Sequence, residues 1–116
     1  MIEVTLRNYL EVNLNGIKVV MEQPKNPPKK YVMMRLVDGG RINHVDAATL
    51  FVDVIADNLY DAAVLRDDVK DLLFNATTLD SITHASIGGE RANTDSANHV
   101  YKYELTYNFY YYREEI

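Results

Sequence analysis

The feature that most constrains this chain is its tyrosine-rich end, HVYKYELTYNFYYYREEI, residues 99–116. Successive side chains of a β-strand point to opposite faces. From His99 to Arg113, one face would therefore carry an apolar and aromatic row: Tyr101, Tyr103, Leu105, Tyr107, Phe109 and Tyr111. The other face is polar as far as Asn108. The alternation through Phe109 predicts the buried face of a sheet that lies under helices.

The length of this strand raises a second expectation. Fifteen extended residues at roughly 3.3 Å each span about 50 Å, whereas a compact domain of this size is roughly 35 Å across. We therefore expect one end of the strand to bend away or to project beyond its own core. Tyr110, Tyr111 and Tyr112 put rings on both faces of the carboxyl end. Because tyrosine is enriched in interfaces, this end is a candidate self-association surface.

Two helices are predicted upstream. Apolar residues recur at three- and four-residue intervals over Ile2–Leu14, and Gly16 stands at the C-cap position. The second helix runs from Leu59 to about Asn75, with Asn58 as its N-cap. Its buried stripe is predicted to be Leu59, Ala62, Leu65, Val69, Leu72 and Leu73. Its solvated face is predicted to carry Arg66, Asp67, Asp68, Lys70 and Asp71.

The remaining segments predict strands and two exposed loops. The further strands are Ile17–Glu22, Tyr31–Val37, Thr49–Ala56 and Ser81–Ile87. Arg41–Ala47 either continues a strand or forms the arm of a hairpin. Gln23–Lys30, with its three prolines, and Gly88–Asn98 are the predicted loops. We expect a single domain over residues 1–116: an α+β fold with an antiparallel sheet of about four to five strands and two helices packed on one face.

The composition excludes several classes of function. Seventeen acidic against twelve basic residues give a net charge of −5, which argues against a general nucleic-acid binder. The chain has no cysteine, so thiol nucleophiles, zinc–thiolate sites and disulfides are excluded. No apolar run approaches the ~20 residues of a membrane helix, and the start shows no secretory pattern. We expect a soluble protein without a membrane partner.

No pattern in the sequence indicates catalysis, a metal site or a cofactor. His44, Asp46 and His84 do not provide a converging ligand set, and solvated loop residues are the simpler interpretation. Neighbouring carboxylates such as Asp67 and Asp68 point in different directions on a helix. The glycine doublets lack the context of a phosphate-binding loop. We expect no enzyme.

Binding of single-stranded nucleic acid remains an alternative. The loop lysines Lys25, Lys29 and Lys30 could contact phosphate while the tyrosines stack on bases. The tyrosine strand, however, carries Glu104, and Glu114 and Glu115 follow it. A strand with these carboxylates does not provide the basic groove that binds single-stranded nucleic acid, so we expect no specific nucleic-acid binding.

Three segments together resemble a known family. PPKKYVMMRLVDGG is a proline-bearing loop before an aromatic-led strand. LFVDVIADNLYDAAVLRDDVKDLLF is a strand that feeds a helix, and YELTYNFYYYRE is a long closing strand with a Tyr-Arg pair. In this order, after a short first helix, they resemble the tail terminator proteins of long-tailed phages and prophages, also called tail-completion or head–tail joining proteins. The match covers almost the whole chain as a pattern of element types.

The resemblance implies a structural role. Such proteins assemble as a ring, usually of six, on the last ring of the tail tube. The ring ends tube polymerisation and presents a surface to the neck. The implied partners are other copies of the chain, the tail tube protein and a head–tail connector or neck protein. The implied location is the head–tail junction of the virion, after assembly in the host bacterial cytoplasm. A head-completion or stopper protein of the neck is the nearby alternative.

The family pattern supplies no binding residues, so the candidates come from the chain itself. Loops carry recognition more often than the sheet does. The candidate interaction residues are Lys25, Lys29, Lys30, Arg91 and Asp95 in the two loops, and Tyr110, Tyr111 and Tyr112 at the strand end. The loop residues also suit an ordinary solvated surface, and both interpretations stay open.

Overall fold

The computed structural model describes residues 2–42, 45–79 and 82–112. The main elements are α1 Ile2–Asn13, β1 Lys18–Val20, β2 Tyr31–Ile42, β3 Val45–Ala56, α2 Leu59–Phe74, β4 Ile82–Ala92 and β5 Tyr101–Tyr112. Short 3-10 turns cover Asn75–Thr78 and Ser96–Asn98. Within the described residues, no helix has the length and apolar character needed to cross a membrane.

The strands form one five-stranded sheet in the order β1-β2-β3-β5-β4. β1 runs parallel to β2, and every other neighbouring pair is antiparallel. α1 contacts β1 and β2, whereas α2 contacts β3, β4 and β5. The predicted fold class is confirmed: an α+β fold with a mainly antiparallel sheet and both helices on one face.

The core lies between this face and the helices. On β3 every second side chain from Asp46 to Val54 is buried, and on β5 the buried set comprises Leu105, Tyr107, Phe109 and Tyr111. The alternation predicted for β5 is therefore confirmed. α1 adds Leu6 and Leu10, both fully buried.

Two polar contacts fix the helices. The Asn58 side chain accepts a hydrogen bond from the Asp61 N–H at 2.8 Å, which confirms the predicted N-cap of α2. The Tyr9 hydroxyl on α1 donates to the Leu72 carbonyl on α2 at 2.7 Å. After α1, Gly16 adopts φ +89°, a left-handed conformation that suits the predicted glycine at a helix end.

The expectation that β5 would project beyond its own core is wrong. β3 pairs with β5 along its whole length, from Ala56 opposite Tyr101 to Val45 opposite Tyr112. β4 covers the other side of β5 from Ala92 to Ile82. The estimate assumed a nearly spherical domain, whereas this one measures 48 × 24 × 23 Å. β2, β3, β4 and β5 are all 11 or 12 residues long. β5 therefore has a neighbouring strand along its whole length.

Two strand boundaries were predicted wrongly for the same reason. β2 does not close at the glycines; it continues to Ile42 with a register shift at Asp38/Gly40, where Gly40 has φ +107°. Residues 88–92 were predicted as loop but belong to β4, which extends to Ala92. Glycine weakens a strand signal in the sequence, and pairing with a neighbour restores the strand in the fold.

Candidate interaction surfaces

No helix covers the opposite face of the sheet within the described residues, which leaves an open face. At its centre the Thr49 hydroxyl donates to Asn108 Oδ1 at 2.8 Å. The Arg35 guanidinium lies over the Phe51 ring, 4.9 Å from its centroid. These contacts link neighbouring strands and make the centre of the open face polar rather than apolar.

A charged cluster lies beside this centre, around the facing carboxylates Asp53 and Glu104. A hydrogen bond from Asn93 lowers the pKa of Glu104, and the nearby Arg91 and Lys102 lower it further. The Arg91–Glu104 distance is 3.3 Å and the Lys102–Glu104 distance 3.8 Å. Burial raises the pKa of Asp53, and Lys102 opposes this.

The charged cluster borders a cleft of about 580 Å³. Because Glu104 is held ionised by its partners, it is a poor proton donor near neutral pH. In the described part of the chain, no group of three or more histidines and carboxylates could hold a metal ion. The arrangement is suited to holding the strands together or to binding.

The three tyrosines at the end of β5 divide between the two faces. Tyr111 is buried in the core beside Phe109, with ring centroids 5.5 Å apart. Tyr110 and Tyr112 are 46% and 53% exposed on the open face. Tyr110 lies 6.0 Å from the His84 ring. The structure thus leaves two of the three available to a partner.

The loop lysines Lys25, Lys29 and Lys30 are all exposed, and none forms an ion pair with another described residue. They do not form one patch. Lys25 borders a groove of about 1020 Å³ along β1, Lys29 borders a pocket of about 350 Å³ on the open face, and Lys30 faces the start of α2. Their closeness in the sequence suggests a single basic patch, but the fold directs them to three different surfaces.

Arg91 and Asp95 have structural partners of their own. Arg91 belongs to β4 and pairs with Glu104. Asp95 accepts hydrogen bonds from the Asn98 side chain at 2.7 Å and the Asn98 N–H at 3.3 Å. These bonds lower the pKa of Asp95. Both residues are exposed, but each stabilises its own strand or turn.

The histidine and aspartate considered as metal ligands do not form a described site. His44 lies outside the described residues. Asp46 is 2% exposed and lies 3.6 Å from Arg41. The interpretation of Asp46 as a solvated loop residue is therefore wrong, since β3 begins earlier than predicted and carries it into the core.

Sequence reasoning missed a row of residues on the outer side of α2. Tyr60, Val64 and Phe74 are large apolar residues that are exposed on the helix, with Asp67 and Asp71 between them. The spacing 60, 64, 67, 71 and 74 puts all five on one stripe of an α-helix. We call these five residues the outer stripe. The spacing is visible in the sequence, but a solvated face defined by charged residues alone does not include the apolar members of the stripe. The prediction that Leu59 is buried is wrong, because this first residue of α2 is 54% exposed.

The edge of β4 is a further available surface. No strand among the described residues pairs with its outer side, and it runs for 11 residues. Two register shifts, at Ile82/His84 and Ile87/Gly89, interrupt its pairing with β5. Bulges of this kind twist an edge and reduce unwanted pairing, so the edge is partly protected.

Comparison with known proteins shows similarity in structure, whereas family models and curated proteins give no match in sequence. No family model matches the chain, and no curated protein matches it. The fold is similar to that of a chain in the virion of a native gene transfer agent particle. The TM-score is 0.65 with 15% sequence identity, over 88% of this chain and 83% of that chain. At this identity the similarity establishes the fold.

Proposed function

We propose that this protein is a structural subunit of a phage-like virion. It assembles as a ring, of six copies as the family resemblance implies, that caps the tail tube, ends its polymerisation and provides the surface for head–tail joining. The observation that carries the proposal is the fold similarity to a chain of a gene transfer agent virion, with a TM-score of 0.65 over most of both chains. The partners in this proposal are further copies of the chain, the tail tube protein and a head–tail connector or neck protein.

Two surface properties support assembly rather than catalysis. Large apolar side chains are exposed on both sides of the sheet, among them Tyr60 and Phe74 on α2 and Tyr112 on β5. The central carboxylate Glu104, by contrast, lies beside Arg91 and Lys102, which lower its pKa and stabilise its charged form. Exposed aromatic residues with few reactive groups are typical of surfaces that bind other proteins.

The proposal is tested by deleting the gene in the strain that encodes it and examining the particles by negative-stain electron microscopy. A cap that ends polymerisation predicts tails of abnormal or variable length and filled heads without tails. Gold-labelled antibody against the protein should bind wild-type particles at the head–tail junction. Normal tails with joined heads in the deletion strain would contradict the proposal. Tails of normal length beside heads that lose DNA would favour the stopper role instead.

A further inference from the structure

The outer stripe of α2 has two well-exposed aromatic anchors. Tyr60 is 77% exposed and Phe74 75% exposed, and Phe74 follows Tyr60 by 14 positions along the helix. At 1.5 Å per residue this distance is about 21 Å. Asp71 is three residues before Phe74, so its carboxylate and the Phe74 ring lie on neighbouring positions of the helix surface. Phe74 and Asp71 together present one apolar and one anionic group at the carboxyl end of the helix.

The charges of α2 leave this anionic group without a cation from its own helix. Arg66 is turned toward the sheet, with its guanidinium 4.6 Å from the Tyr103 ring centroid. Lys70 pairs with Glu90 at 3.0 Å. Asp71 lies in the last turn, which contains no basic residue. A carboxylate at this end of a helix opposes the helix dipole, so a cation supplied from outside would relieve an unfavourable interaction.

A complementary surface lies on the open face. The lining of the pocket of about 350 Å³ includes the apolar residues Pro27, Pro28, Ile55 and Val100, with Lys29 beside the two prolines. Its polar lining residues include Asp57, His99 and Lys102, and Lys102 is paired with Glu104 at 3.8 Å. Lys29 is exposed, and it has no ion pair with any other residue in the described ranges. The pocket therefore offers an apolar site next to an unpaired cation. The Phe74 ring beside the Asp71 carboxylate, which has no ion pair within the described ranges, is the complementary arrangement.

These two surfaces lie on opposite sides of the sheet. Phe74 is at the carboxyl end of α2, on the helix side, whereas the pocket opens beside Ile55 on the other face. One subunit cannot bring them together. A contact between two different surfaces of identical chains is head-to-tail, and repetition of such a contact forms a ring when the rotation between neighbouring copies closes.

We propose that the Phe74 side chain of one copy inserts into the proline-lined pocket of a second copy, with Asp71 paired to Lys29. This inference rests on the proposed ring and names the contact between its neighbouring subunits. The aromatic ring supplies buried apolar area, as interface anchors do. The ion pair fixes the orientation and selects the correct neighbour.

The test measures self-association by sedimentation velocity over a concentration series, with ring formation followed by negative stain. Phe74→Ala, Asp71→Lys and Lys29→Glu should each weaken association by roughly 10- to 30-fold. The double variant Asp71→Lys/Lys29→Glu restores the ion pair with its direction reversed, and it should recover most of the association. A melting curve for each variant confirms that the subunit is folded.

Two matched controls separate this contact from general effects of charge and apolar surface. Val12→Ala removes an exposed apolar side chain of α1, and Lys18→Glu reverses an exposed charge on β1. Both should associate like the wild type.

Two results would overturn the inference. Rings that form equally well in all variants would disprove this contact while leaving the proposed ring intact. A wild-type chain that is monomeric at every concentration would rule out a second copy as the occupant. The gold-labelling experiment would then test separately whether the protein is part of the virion.

Discussion

The Glu11 carboxylate on α1 accepts a hydrogen bond from the Val19 backbone N–H at 3.2 Å. Val19 pairs with Val32 of β2, and β1 lies at one edge of the sheet. A helix side chain thus occupies one donor of an edge strand only three residues long. An open edge donor invites pairing with other chains, and Glu11 protects the strand from it.

We predict that Glu11→Ala lowers the free energy of unfolding by about 1 kcal/mol, because the N–H loses its partner. Glu11→Gln keeps an acceptor and should lose less. Urea denaturation measures the difference. Glu22→Ala, at an exposed acid just beyond the strand, is the control. Equal losses at Glu11 and Glu22 would show that the contact does not stabilise the edge.

The free energy of unfolding should change differently when the buried Tyr107 and the half-buried Tyr9 lose their hydroxyl groups. Tyr107 is 1% exposed, and its hydroxyl has no hydrogen-bond partner among the described residues. Tyr107→Phe should therefore be neutral or stabilise the fold by up to about 1 kcal/mol. Tyr9→Phe loses the bond to the Leu72 carbonyl and should cost about 1 kcal/mol. Chemical denaturation at neutral pH compares the two, and a clear loss in Tyr107→Phe would contradict this account.

The same tyrosine predicts a dependence on alkaline pH. Burial raises the pKa of Tyr107 to about 12, above the ordinary value of 10.0. The folded state then holds this proton more tightly than the unfolded state, so stability is complete below pH 10 and falls as the pH rises toward 12. The slope contributed by one such group is at most about 1.4 kcal/mol per pH unit. Tyr107→Phe should show a shallower loss than the wild type in urea titrations between about pH 10 and 11. Parallel losses would contradict the assignment.

Buried and exposed side chains alternate at the end of β5, so substitutions of neighbouring tyrosines should lower the free energy of unfolding by unequal amounts. Tyr111→Ala removes a ring that is 7% exposed, and it should cost about 3 kcal/mol. Tyr112→Ala removes a ring that is 53% exposed, and the cost should be below about 1 kcal/mol. Thermal melts of both variants provide the measurement. A similar cost at the two positions would mean that this end is not anchored in the sheet.

At Asp71, stability and assembly should change in opposite directions. Asp71→Asn removes a negative charge from the end of α2 and should stabilise the isolated subunit by about 0.3–1 kcal/mol. The same change should weaken self-association if Asp71 pairs with Lys29 of a neighbour. Denaturation of dilute protein and sedimentation of concentrated protein measure the two effects. Asp67→Asn is the comparison, because Asp67 is paired with Arg66 at 3.0 Å. A gain in both stability and association would contradict the pairing.

Local signals in the sequence were sufficient where one segment decides its own structure. The N-cap at Asn58 and the helix that follows depend on side chains within a few residues of each other. The buried row of β5 needs only the two-residue period of a strand. For these elements, the residue types and their spacing already determine which side chain caps the helix and which side chains form the buried face.

Pairing partners distant in the chain decided the rest. The glycines of β4 weaken its local preference, but pairing with β5 compensates for them, so the strand extends to Ala92. Asp46 becomes buried because Tyr111 and Arg41 are its partners across the sheet. The sequence by itself therefore determined the types of the main elements, the acidic charge and the buried face of the tyrosine strand. Only the tertiary structure decided that the strand has partners throughout its length, and that Phe74 and the proline-lined pocket lie on opposite sides of the sheet. Sheet order and relative placement arise from contacts between residues far apart in the chain, and no local pattern specifies them.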